Sequence, residues 1–145
     1  MDARRELATG AWGALLQVHA AVVPALDRRL QAAIGLPLRW YDVLLELAAA
    51  PDRRLRMSDL AGRVVLSRTR VSRLVDELVD AGLVAREDNP RDGRSAYAAL
   101  TAPGLARYRQ AAPIYVAGIE EEFAQRLTDT ELETIGHALQ RILTT

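Results

Sequence analysis

The sequence predicts a mainly α protein that carries one small β-hairpin late in the chain. Two observations support helices: apolar residues recur at three and four over most of the 145 residues, and stop and start signals punctuate them. A third places the hairpin. Two short apolar runs near residues 83–100 flank Asn89-Pro90-Arg91-Asp92-Gly93, a stretch dense in turn formers. Half of the residues are hydrophobic and 26% are charged, which suits a folded core and excludes a disordered chain. The length is that of one domain.

Residues 4–33 read as a long helix, broken or bent near Pro24. Leu7, Ala11, Leu15, Val18, Val22, Leu26 and Leu30 form one stripe, with Trp12, Leu16 and Val23 off it. A helix apolar on two sides needs two surfaces to pack against, which in a short chain points to a subunit interface. Gly35 and Pro37 end it. A second helix covers residues 38–50 on Trp40, Val43, Leu44 and Leu47, and Pro51 stops it. Ser58 is expected to cap a short helix bearing Leu60, Ala61 and Val64. After a tight break, Ser67 caps a longer helix to about Ala81, whose buried stripe is Val71, Leu74, Val75 and Leu78. Gly82 closes it. Residues 83–87 and 95–100 form the hairpin strands. Thr101 and Pro103 open a helix that reaches about Leu127 and bends at Pro113. Thr128 and Glu131 make a capping box for the last helix, with Leu132, Ile135, Leu139 and Ile142 on one face.

The formal net charge is zero, which at first speaks against nucleic acid as a partner. Its distribution says otherwise. All 19 basic residues are arginine. Seven arginines and one aspartate lie between Arg53 and Arg73, a net charge of +6, whereas six acids and two arginines lie from Ala117 onward, a net charge of −4. The cationic stretch falls on two helices joined by a short turn, the second helix polar and basic at its start. That is a helix-turn-helix, and a hairpin straight after it makes a winged helix. Arg68, Arg70 and Arg73 are placed to reach base edges or phosphates in a major groove. Ser67 and Thr69 are short donors at the helix start, where free N–H groups favour phosphate. Arg91 and Arg94 sit at the wing tip, suited to a narrow minor groove, with Asp92 positioned to orient Arg94. Arg53, Arg54 and Arg56 are loop charges or phosphate contacts. Asp76, Glu77 and Asp80 lie further along the recognition helix, where it leaves the groove.

The run Asp92-Gly-Arg94-Ser-Ala-Tyr-Ala-Ala-Leu100-Thr101 resembles the wing signature of the MarR (multiple antibiotic resistance regulator) family. Leu78 with residues 81–86 is similar to that family's end of recognition helix and first wing strand. Met57-Ser58-Asp59-Leu60-Ala61 is similar to its short third helix. The resemblance implies a single domain over 1–145, in which 1–36 and 102–145 are dimerisation helices and 37–101 is a DNA-binding lobe. It further implies a homodimer on a pseudo-palindromic double-stranded DNA operator, usually repressing and released by a small aromatic or anionic effector. By family position, Ser67, Thr69, Arg70 and Arg73 match major-groove contacts, and Arg94 matches a minor-groove arginine held by Asp92.

Trp12, His19, Trp40 and Tyr108 are candidates to line an effector pocket; aromatic residues of this kind, Tyr41 and Tyr115 included, also serve as core or interface. The chain has no cysteine, so thiol oxidation is excluded as a signal. The two histidines, His19 and His137, are far apart, and no metal or cofactor is expected. Neither a Gly-rich phosphate loop nor a nucleophile elbow is present, which argues against an enzyme. No uninterrupted apolar run approaching roughly 20 residues and no secretory signal is expected, which points to the cytoplasm and away from a membrane. The alternative function is a winged helix that docks a protein partner through the same surface.

Overall fold

Six helices and a three-stranded antiparallel sheet make up the described residues, 2–65, 70–88 and 96–144, of the computed structural model. The helices are α1 (Ala3–Ile34), α2 (Leu38–Ala49), α3 (Met57–Arg63), α4 (Val71–Asp80), α5 (Ala102–Ile119) and α6 (Asp129–Leu143). The strands are β1 (Arg54–Arg56), β2 (Val84–Asp88) and β3 (Ala96–Leu100), in the order β1-β3-β2. This is the mainly α winged-helix architecture that the sequence predicts. The chain divides into two compact units, Met1–Arg29 with Tyr115–Thr145, and Leu30–Ile114.

The Leu30–Ile114 unit holds the core. Leu30, Leu36, Val43, Leu44, Leu47, Leu60, Val64, Val75, Leu78 and Val84 are fully buried there. They come from the end of α1 and the turn after it, the inward stripes of α2, α3 and α4, the turn after α3, and one face of the sheet. Cross-strand pairs share a face of a sheet, so the register Arg54↔Ala99, Arg56↔Tyr97 and Glu87↔Tyr97 sets Arg54, Arg56, Glu87 and Tyr97 on its outer side. Leu55, Val84 and Ala98 lie on the other side, and all three are buried. Gly82, at φ +79°, ends α4 in a Schellman motif: the Leu83 N–H donates to Leu78 O at 2.9 Å and the Gly82 N–H to Val79 O at 3.0 Å. Gly35, at φ +67°, closes α1 by donating to Gln31 O. Arg107 Nη2 supports that end, donating to Ile34 O at 2.9 Å.

In the other unit burial is sparse. Ala25, Leu26 and Ala124 are its buried apolar residues, and α6 has no buried residue. Arg29 pairs with Glu121 at 2.6 Å and Glu122 at 2.8 Å. These two carboxylates hold the Arg29 guanidinium above its ordinary pKa. The capping box at Thr128 and Glu131 forms as expected, with each side chain bonded to the other's backbone N–H.

Several expectations need correction. α1 is not broken at Pro24: it continues as one helix from Ala3 to Ile34, with Ala25, Leu26 and Leu30 buried just after the proline. Ser58 is not an N-cap: α3 starts at Met57 immediately after β1, so Arg56 takes the cap position without a side-chain bond. β1 was not foreseen. Beyond Ile119 the backbone widens into a π turn, Glu120–Ala124, rather than continuing as α-helix to Leu127. α1 is also long and apolar enough to cross a membrane by length and composition, since residues 7–26 carry no Asp, Glu or Arg.

Candidate nucleic-acid interface

The turn between α3 and α4 is anchored before it leaves the described residues. Val64 is fully buried, and the Val65 N–H donates to Asp42 Oδ2 at 3.2 Å. Asp42 itself is buried on α2, so this bond satisfies a carboxylate that would otherwise be costly to desolvate. Glu46, one turn later on α2, has its carboxyl pushed up, first by burial and then by the Asp42 charge, with Arg63 opposing.

α4 turns Val71, Leu74, Val75 and Leu78 inward, so at 100° per residue Arg73, Asp76 and Asp80 point outward. Arg70 and Glu77 lie on the flank beside α2, and Ser72 on the flank beside β2. An open cleft of about 320 Å³ beside α2 is lined by Arg39, Arg70, Arg73, Leu74 and Glu77. Two of the three acids further along α4 are engaged. Glu77 Oε2 accepts the Trp40 indole N–H at 2.8 Å, and Arg39 Nε lies 3.9 Å away. Asp76 pairs with Arg86 Nη2 at 2.8 Å, and the same nitrogen reaches Ser72 O at 3.2 Å. The neighbouring elements thus supply cations and a donor that offset negative charge on the helix surface, while Arg70 and Arg73 have no ion pair among the described residues.

On the outer face of the sheet, Arg54 stacks over the Tyr97 ring at 5.0 Å and pairs with Glu87 at 3.0 Å. Arg56 Nε donates to Tyr97 Oη at 3.4 Å. Arg54 and Arg56 are therefore strand residues bound into a cross-sheet cluster rather than loop charges. Arg53 belongs to the preceding turn and, like Asp52, takes a positive φ.

The structure brings Arg70 and Arg73 together and adds Arg39, which sequence reading missed. The available signal was an arginine in the first turn of a helix packed on the recognition helix. Ser67, Arg68, Thr69, Arg91, Asp92 and Arg94 lie outside the described residues. Of the effector candidates, Trp12 and His19 fall in the unit with the chain termini, both exposed, and Trp40 and Tyr108 in the other. Tyr108 stacks on buried Tyr41, with ring centroids 5.8 Å apart, and Trp40 is held by Glu77. Among the described residues no three His, Asp or Glu side chains converge as a metal site.

Comparison with known proteins fits this geometry. A model of the MarR family matches residues 34–95. The chain is similar to a MarR family transcriptional regulator from Streptomyces coelicolor solved in complex with DNA. Identity is 33% and the TM-score 0.85, covering 99% of this chain and 88% of that one. AbsC, another MarR family transcriptional regulator of Streptomyces coelicolor, is 33% identical with a TM-score of 0.83, covering 93% and 90%. The HTH-type transcriptional repressor YetL of Bacillus subtilis is 27% identical over 77% of this chain and 68% of its own length.

Proposed function

The chain belongs to the MarR family of transcriptional regulators, and on that basis we propose that it binds a pseudo-palindromic double-stranded DNA operator as a homodimer and represses transcription. The observation that carries this reading is that Arg70 and Arg73, at the start of α4, have no ion pair among the described residues, beside acids that neighbouring elements have engaged. The DNA-bound regulator from Streptomyces coelicolor supports DNA as the ligand, and the repressor YetL supports the sign of regulation.

In this reading Ser67, Arg68, Thr69, Arg70 and Arg73 enter the major groove. Arg91 and Arg94, with Asp92 orienting the latter, enter the minor groove. Residues 37–101 form the DNA-binding lobe, and 1–36 with 102–145 form the dimer helices. The apolar surface of α1, with Leu7, Trp12, Leu15 and Leu16 exposed, takes a partner chain in this reading. Such a dimer works in the cytoplasm, as a DNA reader and not a catalyst. A small aromatic or anionic ligand releases it from DNA, with Trp12, His19, Trp40 and Tyr108 as the residues to test for binding.

Selection from random duplexes tests the function directly. The expected product is an inverted repeat with half-sites about one helical turn apart. Arg73→Ala is expected to weaken binding to that site by about 1–3 kcal/mol. Enrichment of no sequence would remove the reading.

A further inference from the structure

Arg39 enters the recognition surface from α2, not from the helix expected to read the groove. Its guanidinium nevertheless shares one cleft with Arg70 and Arg73, where three arginines face the single carboxylate of Glu77, a net charge of +2. That carboxylate oxygen is already held by Trp40 at 2.8 Å, and Arg39 approaches it only to 3.9 Å. This is the longest ion pair among the described residues, and half of the Arg39 side chain is exposed. A long, solvated pair contributes little to folding. Three clustered cations repel one another, and a polyanion relieves that repulsion. The guanidinium fork also matches two oxygens of a phosphate, which a point charge does not.

We propose that Arg39 grips a phosphate of the DNA backbone at the rim of the major groove, beside the groove contacts of Arg70 and Arg73. The proposal rests on the reading of the chain as a DNA-binding regulator. Glu77, itself held by Trp40, then keeps Arg39 near its phosphate before DNA arrives, and the weak Glu77 contact yields to the stronger anion.

The test is the salt dependence of binding, measured with the full-length protein on the selected duplex and on a scrambled duplex of equal length. Loss of one phosphate contact in Arg39→Ala is expected to lower the slope of log affinity against log salt by about one. Both duplexes should weaken by the same factor, about 3- to 10-fold near physiological salt. Arg39→Lys should restore the slope. Unchanged tryptophan emission and melting midpoint establish that a variant is folded, and Arg39→Gln, which keeps much of the stem, serves if the alanine variant is not. An unchanged slope, or a loss confined to one sequence, overturns the phosphate role and leaves DNA binding standing. A loss that vanishes in a Glu77→Gln background overturns it too, because Arg39 then only screens that carboxylate. Inorganic phosphate that raises the melting point through Arg39 while the DNA slope stays unchanged marks a free-anion site, and again overturns it. Failure of the unaltered protein to bind DNA overturns both readings.

Discussion

Glu46 shows how one side chain near the helix-turn-helix senses pH. Its carboxyl is pushed up by burial and by the neighbouring Asp42 charge. The folded protein therefore binds that proton more readily than the unfolded chain does. Stability from this site is present in acid and lost as pH rises through the usual carboxylate range into the raised value. Glu46→Gln removes the buried charge, so its melting point should exceed that of the parent at neutral pH and match it in acid. Equal melting curves at both pH values would show that Glu46 is not strained. Asp42 differs in role, since its carboxylate receives the Val65 N–H and ties α2 to the turn before α4. Sequence reading had no means to pick it out. A lone aspartate among apolar neighbours gives no periodic signal, and its partner is a backbone amide 23 residues away.

At the scale of elements, the junction between α4, the sheet and α5 is the most tightly specified. The Thr101 hydroxyl donates to Gly82 O at 2.7 Å and accepts from the Gly104 N–H at 3.0 Å, so one side chain caps α5 and binds the end of α4. A Cβ on Gly104 would collide with the Leu83 carbonyl and lie 2.8 Å from Leu100 Cδ1. Backbone cannot yield as a flexible side chain can. Gly104→Ala is therefore expected to cost about 1–3 kcal/mol in urea unfolding, whereas Gly136→Ala, which meets nothing within 4 Å, should not. Comparable gains in both variants would show that helix propensity, not the close approach, decides. Elements with a strong local signature were legible beforehand: the box at Thr128, the stripe of α4, Gly82 and the hairpin strands. β1 was not, since three residues with one buried side chain, Leu55, carry no period, and its partners lie more than 40 residues later at Tyr97 to Ala99. The π turn at Glu120–Ala124 was likewise invisible, because its sequence reads as an ordinary helix continuation.

At the scale of the whole molecule, apolar residues outnumber the places to bury them. Leu7 is 75% exposed and Trp12 60%, and Leu15, Leu16, Val116, Ile142 and Leu143 are exposed with them. Large apolar side chains left in water in such number suit an interface. All of these residues lie in the unit that contains the chain termini, which is also the acidic end of a chain whose cations gather near α3 and α4. The neutral total thus hides a division between an acidic end with exposed apolar residues, which the proposal assigns to a second copy, and an arginine-rich region, which it assigns to DNA. Which residues share the candidate cleft was legible in part: Arg70 and Arg73 from the helical wheel, but not Arg39, whose place there depends on how α2 packs against α4. The decisive measurement is sedimentation of the protein, alone and bound to the selected duplex. A homodimeric DNA reader gives twice the chain mass alone, and the mass of two chains plus one duplex when bound. A monomer in solution and one chain per duplex would contradict it.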